Sequence, residues 1–237
     1  MRYCVVDILT LTASFRNPDF QNFHKSLPLP PPTTLIGLAG AALGLSPKAA
    51  QTYFEGRNFR LGVFGQSEGM ATDLWKYNTF DGLGSIVLRE LLYDSHFLIA
   101  FGTDDFACIA ELQAAFLNPI YCLTMGNSDS LAKIVGVTII SETSQNNQVV
   151  NCLVAGDVVA DVLENVNSST LSFSIYTTSD PIAFDLPTRF TYDSDYGARQ
   201  VVRRQKLSFI GEQMQLNYRV EGIQIGEIFV PVFDLKM

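Results

Sequence analysis

The 237-residue sequence predicts a mixed α+β fold. Three observations carry that expectation. A β-branched run opens the chain, two segments (residues 35–44 and 104–117) have helical spacing, and the stretch past Gly126 reads as successive strands. Hydrophobic residues make up 47% and aromatics 11%, enough apolar surface to bury a core against the entropy of folding and to argue against disorder. No apolar stretch reaches the roughly 18 uncharged residues a membrane helix needs, and Asp7 interrupts the opening apolar run. The expectation is a cytoplasmic protein without a membrane partner.

Residues 3–11, rich in Val, Ile, Leu and Thr, form the opening strand. The run LPLPPPTT (27–34) is excluded from helix, because proline lacks an amide proton and pushes the preceding residue toward extended backbone. A helix follows over 35–44, with Thr33 or Thr34 expected as its cap, Gly44 as its end and Pro47 as confirmation of the stop. Residues 59–64 make a second strand, and 85–92 with 97–101 a third, interrupted near Asp94 and Ser95. Between them, glycines 65, 69, 82 and 84 bound an aromatic segment with Trp75, Tyr77 and Phe80, which reads as a protruding hairpin. Residues 104–117 space Phe106, Ile109, Leu112 and Phe116 as a helix capped by Asp104 or Asp105, and 120–124 is the fourth strand. That order is the ferredoxin-like (RRM-like) βαββαβ arrangement, which RNA-recognition modules share with many unrelated proteins. Further strands are expected over 133–141, 149–155, 171–177, 199–209, 214–220 and 227–235, as a second sheet or as extensions of the first. The chain thus divides into 1–126, with a hairpin insertion at about 66–84, and a β-rich part 127–237.

The net charge of −8 runs against the basic footprint of a nucleic-acid binder. Its distribution is uneven: Glu142, Asp157, Asp161 and Glu164 share a stretch without Lys or Arg, whereas Arg199, Arg203, Arg204 and Lys206 crowd together. An acidic face and a basic strip can coexist, although each alone also reads as solvated surface. Cys4, Cys108, Cys122 and Cys152 contain no CxxC pair and read as buried thiols, and with only two histidines no metal motif or cofactor site is recognisable.

Residues 13–45, ASFRNPDFQNFHKSLPLPPPTTLIGLAGAALGL, resemble the opening of CRISPR-associated family number five: a first strand, a short Phe-Arg-Pro-like loop, a proline run ending in Ser/Thr, then a Gly- and Ala-rich helix. Residues 118–134, NPIYCLTMGNSDSLAKI, are similar to that family's Pro-Tyr stretch leading into a Leu-Gly-Arg-Ser-acidic turn, with Asn127 standing where arginine is usual. DLPTRF (185–190) is a weaker echo of a late Leu-Pro element. The resemblance implies a ferredoxin-like palm with a hairpin thumb, in the type I Cascade subunit that caps the 5′ handle of the crRNA and touches the backbone subunit and the large subunit.

The residues support such a role independently. A helix opening after Pro32 offers amides and the positive end of its dipole to a phosphate, and Thr33 and Thr34 add hydroxyls, beyond the plain capping that threonine there also explains. Arg16, His24 and Lys25 lie on the loop before it; Trp75, Tyr77 and Phe80 on the hairpin offer platforms for bases or a hydrophobic cluster under a loop, and Lys76 beside them is a further RNA-binding candidate. Asn127 and Ser128 sit in the matched turn. Arg203 and Arg204 point to opposite faces of a strand, so one at most shares a surface with Arg199. These residues are expected to bind RNA without catalysis and to nucleate assembly. The alternative is a metal-independent endoribonuclease that processes pre-crRNA, as some relatives are; His24 and Lys25 are the adjacent candidates for its acid–base pair. A third reading is a ligand-binding domain unrelated to CRISPR.

Overall fold

The computed structural model describes residues 1–20, 23–78, 84–160 and 181–237. In chain order its elements are β1 (Arg2–Ala13), β2 (Phe15–Arg16), β3 (Ser26–Leu27), α1 (Pro32–Leu43), α2 (Pro47–Phe54), β4 (Arg60–Asn78), β5 (Gly84–Thr103), α3 (Phe106–Leu117), β6 (Lys133–Ile140), β7 (Ser144–Val149), β8 (Cys152–Ala155), β9 (Ile182–Tyr192), β10 (Arg199–Ile210), β11 (Met214–Ile225) and β12 (Ile228–Asp234). The expected strand at 171–177 lies outside the described residues.

β1 is buried on both faces. Cys4, Val6 and Ile8 join the core formed with the three helices, while Tyr3 and Val5 join a second cluster with Phe64, Ile223 and Val230. Such a strand belongs in a sheet interior, and β1 pairs antiparallel with β5 on one side and β6 on the other. The order runs β6-β1-β5-β4 and continues through β12, β11 and β7, so the C-terminal strands extend the first sheet. β12 makes the join by pairing with β4.

Two local expectations are corrected. The fourth strand beside α3 is β6, not residues 120–124. The amides of Ile120 and Tyr121 instead bond the carbonyls of Ala42 and Ala41 at 3.1 and 3.2 Å, satisfying acceptors that the end of α1 leaves open. The same surface course leaves Cys122 exposed, whereas Cys4, Cys108 and Cys152 are buried and burial pushes the Cys4 and Cys152 thiols up to about 12. Pro47 begins a helix instead of confirming a stop: Ser46 caps α2 through Ala49 N–H at 3.2 Å, and proline suits the first helical position. The end of α1 is as expected, with Gly44 at φ 74°. So is the Asp105 cap of α3, which accepts from Ala107 and Cys108.

β4 and β5 form one hairpin whose inner halves lie in the sheet. The expected break near Asp94 is a kink inside a continuous strand, with Asp94 at φ 44°. The outer half, beyond Gly69 and Tyr93, carries the segment expected to protrude; Phe80 and Gly82 lie outside the described residues. β9 pairs only with β10 among the described strands, a position that tolerates Pro187. Its other side is closed by Gln51 of α2, whose side-chain amide donates to Phe190 C=O and accepts from Phe190 N–H, both at 2.8 Å.

Where β1 leaves the sheet, Ser14 N–H bonds Met125 C=O at 3.1 Å, and a Cβ on Gly126 (φ +97°) would stand 1.9 Å from Ser14 O. Gly126→Ala therefore meets both an unfavourable backbone region and a backbone collision. It is expected to cost about 2–4 kcal/mol, read as a lower urea midpoint at unchanged slope. A change within about 0.5 kcal/mol would mean that the turn relaxes freely.

Candidate nucleic-acid interface

The loop from Ser14 to Pro31 does not hang free. β2 and β3 pair within it, Ser14 Oγ donates to Glu90 C=O at 2.8 Å, and Ser26 N–H donates to the Glu90 carboxylate at 3.0 Å. His24 runs alongside β5: its N–H bonds Leu88 C=O and its C=O accepts from Glu90 N–H, both at 2.9 Å. That course sets the His24 ring against Trp75, centroids 5.4 Å apart. Burial, then the positive charges of Arg16 and Arg89, hold the His24 imidazole below its ordinary pKa, so it is neutral at pH 7.

At the centre of this contact is Arg89, 3% exposed although it is a cation. Its Nε and Nη2 bond the two oxygens of Asp73 at 3.0 and 2.7 Å, Nη1 and Nη2 reach Asp129 at 3.1 and 2.8 Å, and the guanidinium lies 5.4 Å from the Trp75 ring centroid. Hydrogen bonds from Arg89 hold the Asp73 carboxyl below its ordinary value. The hub joins β5, β4 and the turn 125–130, in which Met125 N–H bonds Ser130 C=O and Ser130 N–H bonds Asn127 C=O. Two carboxylates on one guanidinium leave it no net positive charge to offer a phosphate. It is a scaffold.

The same turn carries Gly126 to the start of α1. There Thr33, Thr34, Thr124, Gly126 and Arg199 line a cavity of about 300 Å³. Neither threonine caps the helix, which was the expectation: Pro31 holds the cap position without a side-chain bond, because the helix begins at Pro32 and both threonines fall inside its first turn. Both are half-buried at the cleft, available to something other than the helix.

The structure therefore brings Thr33 and Thr34 together with Gly126, and separately His24 with Trp75; Asn127 and Ser128, next in the turn, are not among the residues that line the cleft. Arg16 and Lys25 are exposed on the loop, the Lys25 ammonium 5.3 Å from the Phe20 ring centroid. Lys76 is exposed and, as Trp75's neighbour on a strand, faces the opposite way; nothing is described of the Tyr77 side chain. Arg203 lines none of these spaces and donates to Met237 C=O. Sequence reasoning missed Arg89, Asp73 and Asp129, whose association is visible only in the register of a long hairpin, and did not single out Arg199 as the residue of the basic strip that lines the cleft.

Fold and site define an α+β protein with a cleft at a helix N-terminus and a long, two-faced hairpin locked beside it. A family model described as "CRISPR-associated protein (Cas_Cas5)" matches residues 8–220, and the chain belongs to that family. Solved structures with some likeness include a chain of a CRISPR RNA-guided surveillance complex (13% identity, 89% of this chain and 90% of that one, TM-score 0.49). A CRISPR protein from Archaeoglobus fulgidus matches at 13% identity over 100% of each chain, TM-score 0.44. A Cas protein crystal structure matches at 19% identity, TM-score 0.37, over 53% of this chain and 57% of that one, little more than half its length. No curated protein matches the chain.

The hub makes a non-additive prediction. Asp73→Asn or Asp129→Asn alone leaves Arg89 one carboxylate, and since both acids are over a third exposed each should cost under about 1 kcal/mol. Replacing both strands a buried guanidinium and should cost about 3–5 kcal/mol. Urea unfolding of the four proteins tests this; simple additivity would show that the two acids do not share Arg89. Because the Asp73 pKa is lowered by folding, its contribution is present above the ordinary carboxylate range and fades as pH falls below about 4.

Proposed function

We propose that this chain is the Cascade subunit that holds the unpaired 5′ handle of the crRNA, by binding and without catalysis. The observation that carries the reading is the cleft at the start of α1. There the positive end of a helix dipole, two threonines that cap nothing and Arg199, which makes no ion pair among the described residues, meet in one recess. Such a site grips a phosphate locally, so a net charge of −8 does not preclude it.

The fold half of the reading is a ferredoxin-like palm with a thumb. The strand order β6-β1-β5-β4, with α1 and α2 following β1 and α3 following β5, supports the palm. For the thumb, the outer half of the β4–β5 hairpin has two unlike faces. One carries Asp73, Trp75 and Arg89 onto the hub. The other presents Met70 (60% exposed), Leu74 (71%), Ile86 (67%) and Leu88 (44%), with Leu74 directly opposite Leu88. An apolar strip of that kind fits burial against a neighbouring subunit, the backbone or the large subunit of the complex.

The non-catalytic part is supported by the state of His24. Its backbone is bonded into β5, its ring packs on Trp75, and its neighbour Lys25 sits over Phe20, so the two are not arranged as an acid–base pair.

Electrophoretic shifts with repeat-derived handle RNA, an unrelated strand and duplex RNA at matched salt test the reading. The handle should bind best, and Thr33→Val with Thr34→Val should weaken it by roughly tenfold, about 1.4 kcal/mol. Equal affinity for handle and unrelated strand would sink it. Repeat RNA should stay intact with or without a chelator; site-specific cleavage that is lost in His24→Ala would replace the binding role with the nuclease.

A further inference from the structure

Beside the α1 cleft the surface opens into a groove of about 530 Å³ between α1–α2 and the β9–β10 hairpin. Its walls are aromatic: Tyr121 on one side, Phe190, Tyr192 and Tyr196 on the other. Arg199 lines both spaces, its guanidinium 4.6 Å from the Phe190 ring centroid. Two other polar side chains along the groove are engaged within the fold. The Gln51 amide bonds Phe190 and Glu55, and the Thr188 hydroxyl bonds Lys236 C=O.

Gly37 adds an independent observation. Glycine in mid-helix is destabilising and usually has a packing reason. Gly40 has one, since a Cβ there would stand 2.5 Å from Ala50 Cβ, and Gly44 has its left-handed φ. Gly37 has neither: it is exposed, a Cβ on it would meet nothing within 4 Å, and it lines both the cleft and the groove. What its missing side chain preserves is open space at the floor.

We infer that the groove takes one unpaired nucleotide of the RNA held at the α1 cleft, its base among the tyrosines over Gly37 and its phosphate on Arg199. This rests on the handle-binding reading above and names the subsite within it. Aromatic walls accept the π face of any base, and a guanidinium matches phosphate oxygens in bidentate geometry. An extended peptide fits less well, because the β9 backbone it would pair with is already bonded to Gln51 at Phe190.

The test is fluorescence anisotropy of the full chain with repeat-derived handle RNA and a set of handles each carrying one abasic position. One abasic handle should bind roughly tenfold more weakly than the intact RNA. Gly37→Leu, which fills the groove with a good helix former, should melt no lower than wild type. It should weaken the intact handle by a similar factor and leave that one abasic handle unaffected. Should Gly37→Leu fail to fold, Tyr196→Ala, at a site 74% exposed, runs the same cycle. A folded variant that binds the intact handle like wild type, or loses equally on every abasic handle, overturns the groove assignment while handle binding stands. A wild-type chain with no preference for handle RNA overturns the handle reading itself, and a groove that takes an unstructured peptide in place of the nucleotide overturns the inference.

Discussion

A guanidinium taken out of water must be met by counter-charge where it lies, and around Arg89 that requirement draws together the long hairpin, the turn 125–130 and the loop before α1. The hairpin supplies Asp73 and Trp75, the turn supplies Asp129, and the loop lays His24 against both Arg89's strand and Trp75's ring. Loss of one carboxylate leaves Arg89 the other, and loss of both strands a desolvated cation. The turn is therefore fixed relative to β5, and through Ser14 and Met125 relative to the exit of β1. Gly126 is held at the start of α1 as a consequence, so the cleft is shaped by a polar cluster with no direct part in its chemistry.

The same accounting explains how an acidic chain presents a local positive site. Most cations of the basic strip near residue 200 are engaged within the fold. Arg203 donates to Met237 C=O, Arg204 to Asp185 C=O, Lys206 pairs with Asp157, and Arg189 across the hairpin pairs with Glu55. Arg199 alone in that strip lies over an aromatic ring and lines an open cleft. Net charge and charge runs do not show this, because the engagement of each cation is decided by its own neighbours in the fold.

What could be read from the sequence was local. Opening strand, the Gly44 stop and the Asp105 cap follow from a few adjacent residues and appear as expected, whereas the proline run excluded from helix over 27–34 gives up residues 32–34 to α1, because proline suits a first helical turn. Where reading failed, a distant partner decided. Residues 120–124 have strand composition, but the carbonyls at the end of α1 take their amides. Ser46–Pro47 is equally local, and was misread because a proline just after one helix stop also fits the start of the next. Of the residues that line the cleft, Thr33 and Thr34 were singled out from the sequence, whereas Asn127 and Ser128 of the matched turn do not line it. Arg89 was not singled out, because an arginine between apolar strand residues gives no sign of the two carboxylates that neutralise it.

The hairpin shows why so much rests on register. With side chains alternating along each strand, Asp73, Trp75 and Arg89 share one face, and Leu74 and Leu88 share the other. A slip of one residue would put Leu88 into the hub and Arg89 into solvent, exchanging a satisfied cation for an apolar group among carboxylates. The ion cluster thus selects the pairing as much as it stabilises it. By fixing which face turns inward, it also fixes that the apolar strip of Met70, Leu74, Ile86 and Leu88 faces out. The residues that hold the cleft in shape and the exposed apolar strip are two faces of one register, so a change that loosens Arg89 acts on both at once.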